Sequence, residues 1–110
     1  MPKTLSEKNL SYSEALRILE EEEARRDLSN IERYTLEYLR KFSKIRDPAK
    51  AREAVERLVK ELDLPEVVAV QLVNVKPSDV QEVKVFVAYL SKVYTDEELK
   101  KVLEILSSAE

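Results

Sequence analysis

The sequence predicts an all-α protein of about six helices. A capping residue followed by Glu or Gln three residues later is the signature of a helix N-terminus. We assign such starts at Ser11, Ser29, Ser78 and Thr95. Apolar residues recur at spacings of three and four after each of these starts. The 110-residue chain contains no glycine and only three asparagines, the residues on which tight hairpin turns depend. An antiparallel sheet would therefore be difficult to build.

The first helix is expected to start at Ser11, after an arm formed by residues 1–10. This arm is polar with two leucines, and we predict that it is loose or extended. The apolar residues of the helix lie toward one side: Leu16, Ile18 and Leu19. The run EEEARR at 21–26 is expected to lie in solvent, and the chain breaks at 27–30.

The second helix carries a long apolar stripe of which more than half is aromatic. Its members are Ile31, Tyr34, Tyr38, Phe42 and Ile45. Leu36 and Leu39 lie off this stripe, so we expect the helix to be apolar on two sides. One interpretation is a core helix. The other is that one side packs internally while the second contacts an external partner.

The third helix is predicted to begin at Asp47-Pro48, where Asp caps and Pro takes the first helical position. The cleanest helical period in the sequence follows: Ala51, Ala54, Val55, Leu58, Val59 and Leu62. The segment DLPE at 63–66 is expected to start the next helix in the same way. Residues 67–75 are short and apolar, and periodicity alone cannot assign them.

The segment at 73–90 has two interpretations. Its β-branched residues favour a hairpin that pairs 67–75 with 83–90 through the turn KPSDVQE. The cap at Ser78 with Gln81 instead favours two helices, and so does the helical spacing of four apolar residues: Val80, Val83, Val87 and Leu90. We predict two helices, because a cap combined with a helical period outweighs propensity. This pair should form the core of a compact bundle.

The last predicted helix begins after Thr95. Apolar residues follow it at helical spacings: Leu99, Val102, Leu103 and Leu106. No internal repeat interrupts this order of helices.

The composition excludes several classes of site. The chain has no cysteine, histidine or glycine. Disulfides, thiol catalysis, Ser-His triads and Cys/His zinc sites are therefore absent, as are glycine-rich phosphate loops. Carboxylates alone could still bind magnesium, but we predict no catalytic residue, no cofactor and no metal.

Charge and hydropathy indicate a cytoplasmic protein with a solvated surface. The net charge is −3 with acids and bases interleaved. The basic residues form only a modest cluster at Arg40, Lys41, Lys44 and Arg46, which argues against a primary DNA-binding role. No apolar run approaches the ~20 residues of a membrane span, and the start lacks the apolar core of a signal peptide. Abundant Lys, Arg and Glu without Cys or Gly fit a thermophilic source.

The ordered segments resemble one family. The apolar helix VVAVQLVNV is followed by KP, by SDVQEVKVFVAYL and by YTDEELKKVLEIL. This order is similar to the C-terminal half of the F subunit of archaeal DNA-directed RNA polymerase, the counterpart of the fourth subunit of eukaryotic RNA polymerase II. Upstream, YSEALRIL, IERYTLEYLRKFSKI and DPAKAREAVERLVKEL resemble the family's first three helices. The resemblance covers about residues 10–107, although valine replaces the leucine or isoleucine usual in the fifth helix.

The resemblance implies an all-α fold in which an N-terminal helical pair precedes a helicase-and-RNase-D C-terminal (HRDC)-like helical bundle. The implied division is an arm at 1–10, the partner-binding helical pair at 11–46 and the bundle at 47–110. It further implies a non-catalytic component of a DNA-directed RNA polymerase, a nucleotidyltransferase complex. In this family, the F subunit heterodimerises with the E subunit, the barrel-bearing counterpart of the seventh subunit. The pair forms a stalk that contacts the polymerase core and nascent RNA and supports initiation and termination.

We expect the partner surface on the arm and the first two helices. Its predicted residues are Leu10, Tyr12, Leu16, Leu19, Tyr34, Tyr38 and Phe42. Each could instead be plain core, and this interpretation is favoured for Leu16 and Leu19. An extended arm around Leu5 to Leu10 could add a strand to the partner's sheet. The alternative functions are a stand-alone HRDC-like nucleic-acid-binding module, which the acidic balance disfavours, and an unrelated helical adaptor.

Overall fold

The computed structural model describes residues 9–109. This part of the chain is all-α, as predicted, with six helices and no strand. The helices are α1 (Tyr12–Arg25), α2 (Asn30–Phe42), α3 (Pro48–Leu62), α4 (Glu66–Val75), α5 (Val80–Val87) and α6 (Asp96–Ser108). The two-helix interpretation of 73–90 is therefore confirmed, and the hairpin is wrong. Tertiary burial of the β-branched residues of α4 and α5 outweighs their strand propensity.

Most of the helix starts follow the predicted capping chemistry. Ser11, Ser29 and Thr95 each accept a hydrogen bond from the backbone N–H three residues later, and the glutamate at that position reaches back to the cap. Asp47 caps α3 through the N–H groups of the second and third helical residues, with Pro48 at the first position. These contacts satisfy donors that a helix N-terminus otherwise leaves without partners.

Two predicted helix starts are wrong in detail. Ser78 does not cap α5: Asp79 does, and its Oδ1 accepts from the Glu82 N–H at 2.9 Å. Ser78 lies one residue earlier and donates through its N–H and hydroxyl to the Glu82 carboxylate. Likewise α4 does not begin as α3 does, because Pro65 is itself the N-cap and makes no side-chain capping bond. Asp63 instead closes α3 in a left-handed conformation.

The main core lies where α3, α4, α5 and α6 meet. α3 packs against α4 and α6, and α5 packs against α4 and α6. α4 buries five of its ten residues: Val68, Ala69, Val70, Leu72 and Val73. Its exposed side also carries valines, Val67 and Val75, at 50% and 48% exposure, which explains why its sequence has no clear period. Ile45 also enters this core and is 3% exposed. It lies beyond the end of α2, so its predicted place on the α2 stripe is wrong.

The helical pair α1–α2 has its own small apolar contact. Leu28, Leu36 and Leu39 are buried but do not belong to the main core. α1 packs against both α2 and α3 and so joins the pair to the bundle. The proposed boundary between residues 46 and 47 stays a prediction. None of the helices within 9–109 has the length and apolarity that crossing a membrane would require.

Candidate partner-binding surface

An apolar row lies exposed along α2. It consists of Ile31, Tyr34, Tyr38 and Phe42, which are 78%, 72%, 42% and 42% exposed. The opposite side of the helix buries Leu36 and Leu39 at 2% and 5% exposure. The expectation of two apolar sides is therefore confirmed for α2. The core-helix interpretation would bury this stripe. In the structure, the stripe is the side of α2 that faces solvent.

The aromatic rings of this surface contact one another across two helices. The Tyr38 and Phe42 ring centroids are 4.7 Å apart with planes tilted by 45°. The Tyr38 ring also meets the Tyr12 ring of α1 edge to face, with centroids 6.0 Å apart. We call Ile31, Tyr34, Tyr38, Phe42 and Tyr12 the aromatic row. Because the rings of Tyr12, Tyr38 and Phe42 contact one another, a partner would meet these three side chains already ordered.

The other predicted surface residues take different positions. Leu16 and Leu19 are half-buried on α1, so their exposure favours neither the core nor the surface interpretation. Leu10 is 37% exposed and lies in a groove beside α1 and the start of α3. The predicted strand-forming segment begins at Leu5 and falls largely on residues 1–8, outside the described residues.

The groove beside α1 has a volume of about 430 Å³ and is open to solvent. Its lining combines apolar side chains with charged ones: Leu10, Ile18, Pro48 and Ala49 with Glu14, Arg17, Glu21 and Arg52. Ile18 is 49% exposed, and sequence reasoning did not assign it to a surface. Ile31 was also left out of the predicted surface, although the stripe spacing pointed to it.

The first turn of α1 is held by a side chain from α3. The Arg52 guanidinium donates to both Glu14 carboxylate oxygens, each at 2.8 Å. It also donates to Glu66 Oε2 of α4 at 3.1 Å and to the Asn9 carbonyl at 2.6 Å. Burial raises the pKa of Glu14, but the hydrogen bonds from Arg52 and Ser11 outweigh it, so the net pKa is lowered. Sequence patterns gave no signal for this contact, because its partners lie far apart in the chain.

Three further apolar side chains are exposed on the bundle. Val85, Tyr89 and Val93 are 67%, 79% and 88% exposed. They belong to α5 and to the connection that leads to α6. Within residues 9–109, no group of three or more acidic side chains is arranged to hold a metal ion.

The comparisons with known proteins give one family. The family model described as RNA polymerase Rpb4 matches residues 3–110, nearly the whole chain. No curated protein matches the chain.

Proposed function

The chain belongs to the RNA polymerase Rpb4 family and is an RNA polymerase subunit, and from this premise we propose that it is an archaeal F subunit that pairs with the E subunit. In this proposal the chain is a non-catalytic component of the stalk. It attaches to the polymerase core through the E subunit. It acts in initiation, nascent RNA contact and termination by supporting that partner.

The exposed aromatic row is the observation that carries this proposal. Tyrosine and other aromatic residues are enriched where protein interfaces are energetically strongest. Tyr34 and Ile31 are mostly exposed, although burial of such side chains is favourable. Four members of the row span α2 from its second residue, Ile31, to its last, Phe42, so the row offers an extended surface to a partner. These are the properties of a surface that a second protein chain covers.

The remaining parts of the proposal follow from the family premise. We assign the row to the helical pair at 11–46 and the HRDC-like bundle to 47–110. Leu10, Leu16 and Leu19 would form the edge of the interface. An archaeal and thermophilic source and a cytoplasmic location belong to the same proposal. They fit the charged, glycine-free composition.

The test is co-expression with an archaeal E subunit, followed by size-exclusion chromatography with light scattering. We expect a 1:1 complex for the parent chain and loss of the complex for Tyr38→Asp and for Phe42→Asp. Tyr89→Asp and Lys100→Glu change exposed residues of the bundle and should leave the complex intact. A parent chain that elutes as a monomer beside the free E subunit would contradict the proposal. Salt-dependent RNA binding by that monomer would then favour a stand-alone nucleic-acid-binding module.

A further inference from the structure

Polar side chains connect the helical pair to the bundle at the joint between them. α1 is the member of the pair that packs against α3. At this joint the Arg52 fork binds the Glu14 carboxylate at two points, and both side chains are mostly buried, at 16% and 12% exposure. Paired hydrogen bonds between charged groups fix orientation as well as distance. Limited solvent access also weakens the screening of this pair by salt.

The same turn of α1 is held a second time, from α4. Asn74 Oδ1 accepts a hydrogen bond from the Tyr12 N–H at 2.7 Å. This N–H is one of the donors that a helix start leaves unsatisfied, so Asn74 acts as a cap supplied from another helix. The two anchors lie on successive helices of the bundle and act on residues of one turn.

Tyr12 connects these anchors to the proposed interface. Its backbone N–H binds Asn74, and its ring contacts Tyr38 in the middle of the aromatic row. A change in the position of the α1 turn would therefore move one end of the ring contacts. Asn74 and Arg52 themselves are not members of the row.

We propose that Arg52 and Asn74 are positioning residues for the partner surface. They fix α1, and through Tyr12 the aromatic row, at one orientation relative to the bundle. The partner then binds a preorganised surface and need not order the joint on binding. This inference rests on the proposed function only for the identity of the partner. The contacts of the joint lie within the single chain, so the free chain is enough to test whether they fix it.

The first measurement uses the absence of cysteine from the chain. Cysteines introduced at the exposed positions Glu37 of α2 and Lys100 of α6 carry spin labels. Pulsed electron resonance then gives the distribution of distances between the pair and the bundle. We expect one narrow distribution for the parent and a broader one for Arg52→Lys and Asn74→Ala. Arg52→Lys keeps the charge but loses the fork. Circular dichroism establishes that each variant is folded.

Two matched variants separate positioning from a general loss of stability. Arg57→Lys alters an arginine of the same helix that binds Glu61 within α3, and it should keep the narrow distribution. Asn74→Asp retains an oxygen that can accept the Tyr12 N–H, and it should restore the narrow distribution that Asn74→Ala loses. A merely destabilised protein would not respond in this selective way.

The second measurement is the affinity for the E subunit. We expect Arg52→Lys and Asn74→Ala to weaken it on the order of tenfold, because ordering the joint opposes binding. Arg57→Lys and Asn74→Asp should bind like the parent. Unchanged distance distributions in the folded variants, or broad distributions with unchanged affinity, would overturn the inference. If the parent does not bind the E subunit, the proposed function fails, while the distances still decide whether the joint is fixed.

Discussion

Replacement of Tyr34 by alanine tests the aromatic row with little effect on the free chain. Tyr34 is 72% exposed, and none of the ring–ring contacts found within residues 9–109 involves it. Substitutions at such surface positions usually change the free energy of unfolding by less than about 0.5 kcal/mol. Alanine also favours the helix. The thermal midpoint of the isolated variant should therefore stay close to that of the parent.

The effect on binding follows from the area that a partner can still cover. A tyrosine side chain buries roughly 200 Å² when fully enclosed, so about 145 Å² of Tyr34 remains available at 72% exposure. At about 25 cal/mol per Å², covering half to all of this area contributes ~1.8 to ~3.6 kcal/mol. The expected loss of affinity for the E subunit is therefore about 20-fold to 400-fold.

The assay is calorimetric titration of the purified chain with the E subunit. Tyr89→Ala is the matched control, because Tyr89 is an equally exposed tyrosine, at 79%, on the bundle. It should bind like the parent. A Tyr34→Ala dissociation constant within threefold of the parent value would refute the assignment of the row to the interface. An equal loss of affinity in Tyr34→Ala and Tyr89→Ala would refute the proposal that the partner binds the aromatic row and not the bundle.

The remaining predictions concern stability and are measured on the isolated chain. Leu36→Ala should lower the free energy of unfolding by about 3 kcal/mol and the thermal midpoint by on the order of 10 °C, because Leu36 is 2% exposed. Ile31→Ala on the exposed side of the same helix should change the midpoint little, and an equal loss would contradict the orientation of α2. Asp79→Ala should lower the free energy of unfolding measured in urea by about 1 kcal/mol, since Asp79 caps α5, and Ser78→Ala should lower it less. A larger loss for Ser78→Ala would show that Ser78 is the cap. The lowered pKa of Glu14 means that its stabilisation is present above the ordinary value of 4.5 and is lost as pH falls below it. The midpoint difference between parent and Glu14→Gln should thus shrink from pH 7 to pH 3, and a constant difference would contradict the pKa shift.

Local chemistry predicted most of the fold. Cap, glutamate and apolar period act within a few residues, so Ser11, Ser29 and Thr95 each mark a true helix start. The error at Ser78 arose because Asp79 is also a good cap. With two capping residues in succession, the sequence defines the start of α5 only to within one position. Sequence alone could not exclude either.

The candidate surface was only partly predictable. The spacing of Tyr34, Tyr38 and Phe42 identified one face of α2, but spacing does not say which of two apolar faces packs inside. That depends on how α2 packs against α1. The Arg52 contact with Glu14 was not predictable either, because the two residues are 38 positions apart. Such contacts follow from the assembled fold and not from local pattern.

Two left-handed residues have a consequence for the unfolded chain. Asp63 and Lys76 have φ values of 56° and 52°, and neither is glycine. A side chain in this conformation costs the folded state roughly 1 kcal/mol or more. Glycine would remove that strain but would give the unfolded chain more conformations, and the two effects oppose each other. With no glycine anywhere in the sequence, the unfolded chain has less conformational entropy to gain. Its free energy of unfolding should consequently fall less steeply on heating than that of a glycine-rich helical protein of equal size.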